Sequence, residues 1–262
     1  MDTKSGTPFG RRRASRILHC VRGRPVNLGV FQHEPKQLPP HPPISVAVLL
    51  VVEDAIKVAW SIIRQLPATD FDLAAVDEDT ITQKLHEVLE DELFVSGKVP
   101  GFNGDLIYKV TRDAKLRSFD SKHLDKMPDL IFGVVGREVY MRTQDGIIIE
   151  CKPVDASHTA GVHYCDKGIM RFVRGDYAWC MLSAMMVGYA AEGYTIVPKL
   201  TDALAKSTAI TTEVIPATCP QSKPVLFSQE THVSVHERNF SYVETGSKAP
   251  PITLRHIWLN RE

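Results

Sequence analysis

Two carboxylates and one amine stand at spacings suited to phosphate chemistry. Asp129 lies in Met127-Pro-Asp129-Leu-Ile-Phe, and Glu150 and Lys152 lie in Ile147-Ile-Ile-Glu150-Cys-Lys152. Twenty residues separate Asp129 from Glu150, enough for two adjacent strands and a hairpin. Side chains at i and i+2 of an extended strand share a face, so Glu150 and Lys152 point one way and Ile149 and Cys151 the other. Asp129 opens the neighbouring strand and can approach the same spot. Charges gathered at the end of an apolar sheet are costly to desolvate unless something compensates them. A divalent cation does so, and hard oxygen ligands suit magnesium.

The elements that must position these groups follow from hydrophobic periodicity and chain breakers. A helix is expected from Val46 to Leu66, stopping at Pro67, and a second from Asp77 to Leu93, with Ile81, Leu85 and Leu89 on one stripe. Leu106 to Phe119 is strand-like. Leu130 to Val135 and Gly146 to Lys152 are firmer strands, apolar, β-branched and bounded by breakers. A helix from Ile169 to Ala191, a short strand over Gly193 to Val197 and a short helix over Lys199 to Ser207 are expected next. Alternation at Thr231 to His236 marks another strand, with Ile252 to Leu259 beside it. The fold class is α/β, a small mixed sheet flanked by helices with additions at both ends.

Pro128-Asp129 followed by Glu150-x-Lys152 after an apolar strand resembles the PD-(D/E)xK nuclease superfamily, the restriction-endonuclease-like fold. The resemblance covers Asp77 to Val197, a little under half of the chain, and implies an αβββαβ core. It also implies an additional Glu on the preceding helix, for which Glu78 is suitably placed and Glu87 is the runner-up. The implied activity is metal-dependent endonucleolytic hydrolysis of phosphodiester bonds, most naturally in DNA, and many such proteins serve restriction or defence. In such a site Asp129 and Glu150 hold Mg²⁺ (or Mn²⁺ in its place) with the Cys151 backbone carbonyl. Lys152 positions or deprotonates the attacking water, and Glu78 completes the metal shell or holds a second water. An alternative from another class is a nuclease-fold module that binds nucleic acid or protein without chemistry. A third is an interaction protein whose helix from Ile44 to Leu66 carries an exposed apolar face.

Other groups have two readings each. Arg171 can contact phosphate through its planar fork or lie on the surface, whereas Arg174 reads as a surface arginine. Lys109, Arg112, Lys115, Arg117, Lys122 and Lys126 form the densest basic stretch, and Lys115 and Arg117 are the expected nucleic-acid contacts. Asp113, Asp120 and Asp125 dilute it. His158, His163 and Cys165 match no standard zinc spacing and read as a loop near the site.

Composition bounds the rest. The 262 residues carry 31 basic and 31 acidic side chains, so nucleic acid must be met by a local basic face, not by bulk charge. The five cysteines are scattered, which points to reduced thiols and a cytoplasmic setting. The apolar stretch from Ile44 to Ile63 is interrupted by Glu53, Asp54 and Lys57, so no membrane span is expected. Residues 1–43, basic and proline-rich, read as an extension to a domain over 44–262. Cutting both strands of a duplex is most simply done by two sites, so a homodimer is expected.

Overall fold

A computed structural model describes residues 38–218 and 231–261, so most of the expected N-terminal extension lies outside the described residues. Helix α1 (Val46–Ile63) begins where the Ser45 hydroxyl accepts from the Val48 amide. Helix α2 (Glu78–Glu87) begins at Asp77, whose carboxylate accepts from the Thr80 amide at 2.8 Å. It runs on through a π-helical stretch (Val88–Leu93) and a last turn (Phe94–Ser96) closed by Gly97 at φ 65°. Strands β1 (Ile107–Arg112), β2 (Leu130–Val134) and β3 (Ile147–Val154) follow. Helix α3 is composite, π-helical over Ala160–Ile169 and α-helical over Met170–Arg174. Then come β4 (Ser183–Ala190), α4 (Ile196–Lys206), β5 (Thr212–Thr218), β6 (Thr231–His236) and β7 (Ile252–Asn260).

The seven strands form one mixed sheet in the order β1-β2-β3-β4-β7-β6-β5. The β3–β4 and β4–β7 pairs are parallel and the other four antiparallel, so the fold is mixed α/β. The expected strands at 130–135, 146–152, 231–236 and 252–259 are present, and β6 pairs with β7 as expected. The strand-like stretch from Leu106 is shorter than expected, ending at Arg112.

The region from Ile169 to Ala191 differs most. Its helix starts earlier, at Ala160, and ends at Gly175 (φ 72°), and Ser183–Ala190 is a strand, not a helix. Strand β4 lies between β3 and β7 and is buried along nearly its whole length, so its sequence lacks the alternation that marks a half-exposed strand. The expected strand over Gly193 to Val197 is a turn leading into α4.

The central apolar stripe of α1 is buried within the protein. Val52, Ile56, Ala59, Trp60 and Ile63 are buried, and Trp60 stacks on Tyr189 of β4 with ring centroids 5.6 Å apart. This stripe is therefore used inside the protein, and the exposed apolar residues of α1 lie in its first turn, at Val46 and Ala47. Glu53 and Lys57 go inside with that face, and Glu53 is paired with Arg255 of β7 and accepts from the Thr231 hydroxyl at 3.0 Å. Among the described residues, no helix is long and apolar enough to cross a membrane.

Candidate active site

The β2–β3 ladder ends at the pair Leu130–Ile149. One step further, the Cys151 amide would lack a strand partner, and the Asp129 side chain supplies one: its Oδ2 accepts from Cys151 N at 2.5 Å. Asp129 is therefore fixed where β2 and β3 part. Past this point β3 is held on its other side by β4, with Glu150 opposite Met186 and Lys152 opposite Gly188. The pleat turns Glu150 and Lys152 to the face covered by α3.

Gly168 lets α3 come close there. A Cβ at this position would lie 2.7 Å from Met186 Cε and 3.4 Å from Lys152 Cγ. The lysine stem is thus pinned between helix and sheet, and its ammonium reaches out to the carboxylates. Lys152 Nζ lies 2.8 Å from Glu78 Oε1, 2.9 Å from Glu150 Oε1 and 3.8 Å from Asp129 Oδ2, and donates to the Cys151 carbonyl at 2.5 Å. Glu78 arrives from the first turn of α2, where the helix dipole favours a carboxylate. Three carboxylates, from α2, from the start of β2 and from β3, therefore meet around one ammonium, with the Cys151 carbonyl beside them.

Glu150 is fully buried, and burial together with the Asp129 charge pushes its carboxyl up to about 7. The Tyr177 hydroxyl donates to its Oε2. Its Oε1 has no aligned hydrogen-bond donor, although Lys152 Nζ is near and Arg171 Nε is 3.5 Å away. Asp129 and Glu78 are also raised, chiefly by burial. Burial alone would lower Lys152, but Glu150, Asp129 and Glu78 outweigh it and hold the amine well above its ordinary value. With all five groups ionised, three carboxylates face the two cations Lys152 and Arg171, leaving one negative charge.

Among the described residues, no group of three His, Cys, Asp or Glu is placed to hold a metal ion by itself. The donors that fit a hard cation are Glu150 Oε1, which lacks an aligned donor, Asp129 and the Cys151 carbonyl. Magnesium commonly keeps several waters beside one or two carboxylates, so a shell of this kind needs no third protein carboxylate.

The other expected residues divide. Arg171 belongs to the site: its Nε donates to the Lys167 carbonyl at 2.8 Å and faces Glu150. Glu87 does not, because it bonds Gln83 at 2.9 Å and Lys84 at 3.4 Å within its own helix. Arg117 donates to Ser121 Oγ and Met141 Sδ and lies over the Trp179 ring, so it is an anchoring side chain. Lys122 pairs with Asp120, Lys126 with Asp176, and Arg112 with Asp79 and Asp113. Lys109 and Lys115 are exposed and have no ion pair among the described residues. His158 is paired with Asp155 at 3.0 Å and meets His163 edge to face, while Cys165 is buried and pushed up to about 12. A cavity of about 730 Å³ is lined by Asp155, Thr159, Cys165 and α4, and by none of the residues around Lys152.

Tyr177 is the site residue the sequence left without a role. It is buried two residues after the left-handed Gly175, in a turn that brings its hydroxyl back onto Glu150. Compared with known families, curated proteins and solved structures, the chain shows no significant match.

Proposed function

We propose that this protein is a metal-dependent nuclease of the PD-(D/E)xK type, hydrolysing phosphodiester bonds in nucleic acid, with DNA favoured. The observation that carries the reading is the convergence of Glu78, Asp129 and Glu150 on the Lys152 ammonium at 2.8, 3.8 and 2.9 Å. The element order α2-β1-β2-β3-α3-β4 supports it, with β3 and β4 parallel and the motif on β2 and β3. A structural salt bridge needs one carboxylate per amine, whereas here three are gathered, all of them half-buried or deeper.

Asp129, Glu150 Oε1 and the Cys151 carbonyl would hold Mg²⁺. A bound ion of this class neutralises phosphate charge and lowers the pKa of water. Lys152, placed beside these carboxylates, would position the attacking water or stabilise charge developing on the scissile phosphate. Glu78 can take a hydrogen bond from a water beside that ammonium. Arg171 offers a planar fork to the phosphate next to the one cut. Tyr177 orients Glu150 by its donation to Oε2.

Purified protein would be incubated with plasmid DNA and with RNA in Mg²⁺, Mn²⁺ or EDTA, beside Lys152→Ala and Asp129→Ala variants of confirmed fold. Cation-dependent cleavage by the parent and at least ~100-fold less by each variant is expected, in line with removing a charge-stabilising donor. Cleavage surviving in both folded variants would sink the site assignment. If nothing cleaves, calorimetric Mn²⁺ binding lost in Asp129→Ala favours a gated enzyme, and its absence from the parent favours a binding module.

A further inference from the structure

We infer that Tyr108 is a stacking platform for an unpaired base of the strand presented to the site, an inference that rests on the nuclease reading but can fail separately from it. The β1–β2 register slips between Ile107 and Lys109, so Tyr108 is the extra residue of a β-bulge. Bulges occur near functional sites, where they re-aim a side chain. This one lays the tyrosine ring across Gly133: a Cβ built there would fall 2.3 Å from Tyr108 Cζ and 2.6 Å from Cε1. Glycine is thus required at 133 for the ring to lie down. The side chain nonetheless remains 60% exposed, so one side of the ring is backed by the sheet and the other is open to solvent.

The location connects the ring to the site. Asp129, Ile131 and Gly133 alternate along one line of β2, and Ile131 is opposite Ile148, which shares its face with Glu150 and Lys152. The ring therefore lies on the same side of the sheet as the carboxylates. Four steps along the strand lead from Asp129 to Gly133, about 13 Å, within the span of a short stretch of nucleic acid.

Charge favours a nucleic-acid occupant. Within the basic stretch from Lys109 to Lys126, the two exposed lysines without an ion pair among the described residues are Lys109, next to Tyr108, and Lys115, on the way from β1 to Asp129. Aromatic stacking beside a positively charged track is how single strands are bound without reading sequence. Inside a duplex both faces of each base are already stacked. A ring of this kind is therefore filled by a single strand, a frayed end or a flap, in DNA or RNA.

The test measures binding by the full chain in EDTA, where no cleavage occurs. The probes are a short single-stranded oligodeoxynucleotide carrying one 2-aminopurine, its oligoribonucleotide counterpart and the blunt duplex. Tyr108→Ala should weaken single-strand binding by roughly 5- to 100-fold and abolish 2-aminopurine quenching, while Tyr108→Phe and Tyr108→Trp keep both. Duplex binding should change by less than about twofold, since phosphate contacts carry it. Single-strand binding unchanged in Tyr108→Ala overturns the inference, and so does a parent that binds no strand, which would leave the ring to a protein partner. Cation-dependent cleavage lost in Lys152→Ala but unaltered in Tyr108→Ala on single strands leaves the nuclease and removes the platform. Tyr108-dependent quenching by a parent that cleaves nothing leaves the platform and removes the nuclease.

Discussion

The Tyr177 hydroxyl donates to Glu150 Oε2 across 27 positions of sequence, joining the turn after α3 to the centre of β3. Glu150 is fully buried, so this donor is one of few groups that favour its ionised form. Tyr177→Phe removes it and leaves a buried acceptor unmade, for a loss of about 1–3 kcal/mol. The loss falls mainly on the carboxylate, because a protonated carboxyl needs less stabilisation. Urea unfolding should therefore show a larger effect at pH 8 than at pH 5. An equal loss at both would mean that Tyr177 contributes packing alone.

The contribution of Glu150 to stability without metal should fall as pH rises through the slightly acidic range, against the buried His236 and His256, which burial holds below their ordinary values and whose contributions rise there. Glu150 goes from an ordinary 4.5 up to about 7 on folding, so between those values the folded state holds the proton more tightly than the unfolded chain does. The contribution is fully present below 4.5 and is lost as pH rises through 7, by at most about 3 kcal/mol at 1.36 kcal/mol per unit. Asp129 and Glu78 are raised too and act in the same direction. The difference in urea midpoint between the parent and Glu150→Gln in EDTA, which cancels the histidine contributions, should shift against the parent from pH 5 to pH 8. Added Mn²⁺ should restore the midpoint at pH 8 and do little at pH 5, since protons and cation compete for the same oxygens. A parent-to-variant difference that does not change with pH would contradict the burial of Glu150 as the cause.

Two glycines should respond differently to alanine. At Gly188 the new methyl would meet the Trp258 ring, with Cδ1 at 2.5 Å and Nε1 at 2.8 Å, inside a sheet that cannot give way. At Gly168 it would meet the mobile end of Met186 and the stem of Lys152. Gly188→Ala should cost about 1–3 kcal/mol of stability by overpacking. Gly168→Ala should unfold closer to the parent but displace the ammonium, lowering any Lys152-dependent cleavage by about tenfold or more. Chemical denaturation beside a cleavage assay separates the two, and a Gly168→Ala protein with unaltered kcat would show that Lys152 tolerates displacement.

What the sequence revealed follows from local physics. Leu130–Val134 and Ile147–Val154 are short β-branched runs between breakers, and pleat parity alone put Glu150 and Lys152 on one face. The position of Glu78 was readable because a capped helix start fixes its first turn. Strand β4 was not readable: Ser183–Ala190 is apolar without alternation and rich in Ala and Met, so local propensity favours helix, and only its place between β3 and β7 makes it a strand. Tyr177 was lost with it, because a helix through residue 177 would not turn the side chain back. For Arg117 the charge was visible in the sequence, but its engagement with Ser121, Met141 and Trp179 was not, because it is tertiary.

The buried pair of Glu53 and Arg255 offers a test of the fold that is independent of function. Glu53 lies on α1 and Arg255 on β7, both nearly inaccessible to solvent, and the Thr231 hydroxyl donates to the other carboxylate oxygen at 3.0 Å. Among the described residues, removing the guanidinium leaves a buried anion with the Thr231 hydroxyl as its hydrogen-bond donor and Lys57, buried one turn further along α1, nearby. Arg255→Met should therefore cost about 3–5 kcal/mol, the magnitude seen when one partner of a buried pair is removed. Glu53→Gln in the same chain should return a good part of it, because the amide needs no counter-ion. A coupling of about 1–3 kcal/mol between the two changes, measured by urea unfolding of all four proteins, would locate α1 against β7 as described. Strict additivity would place the two side chains apart, and with them the helix that covers this face of the sheet.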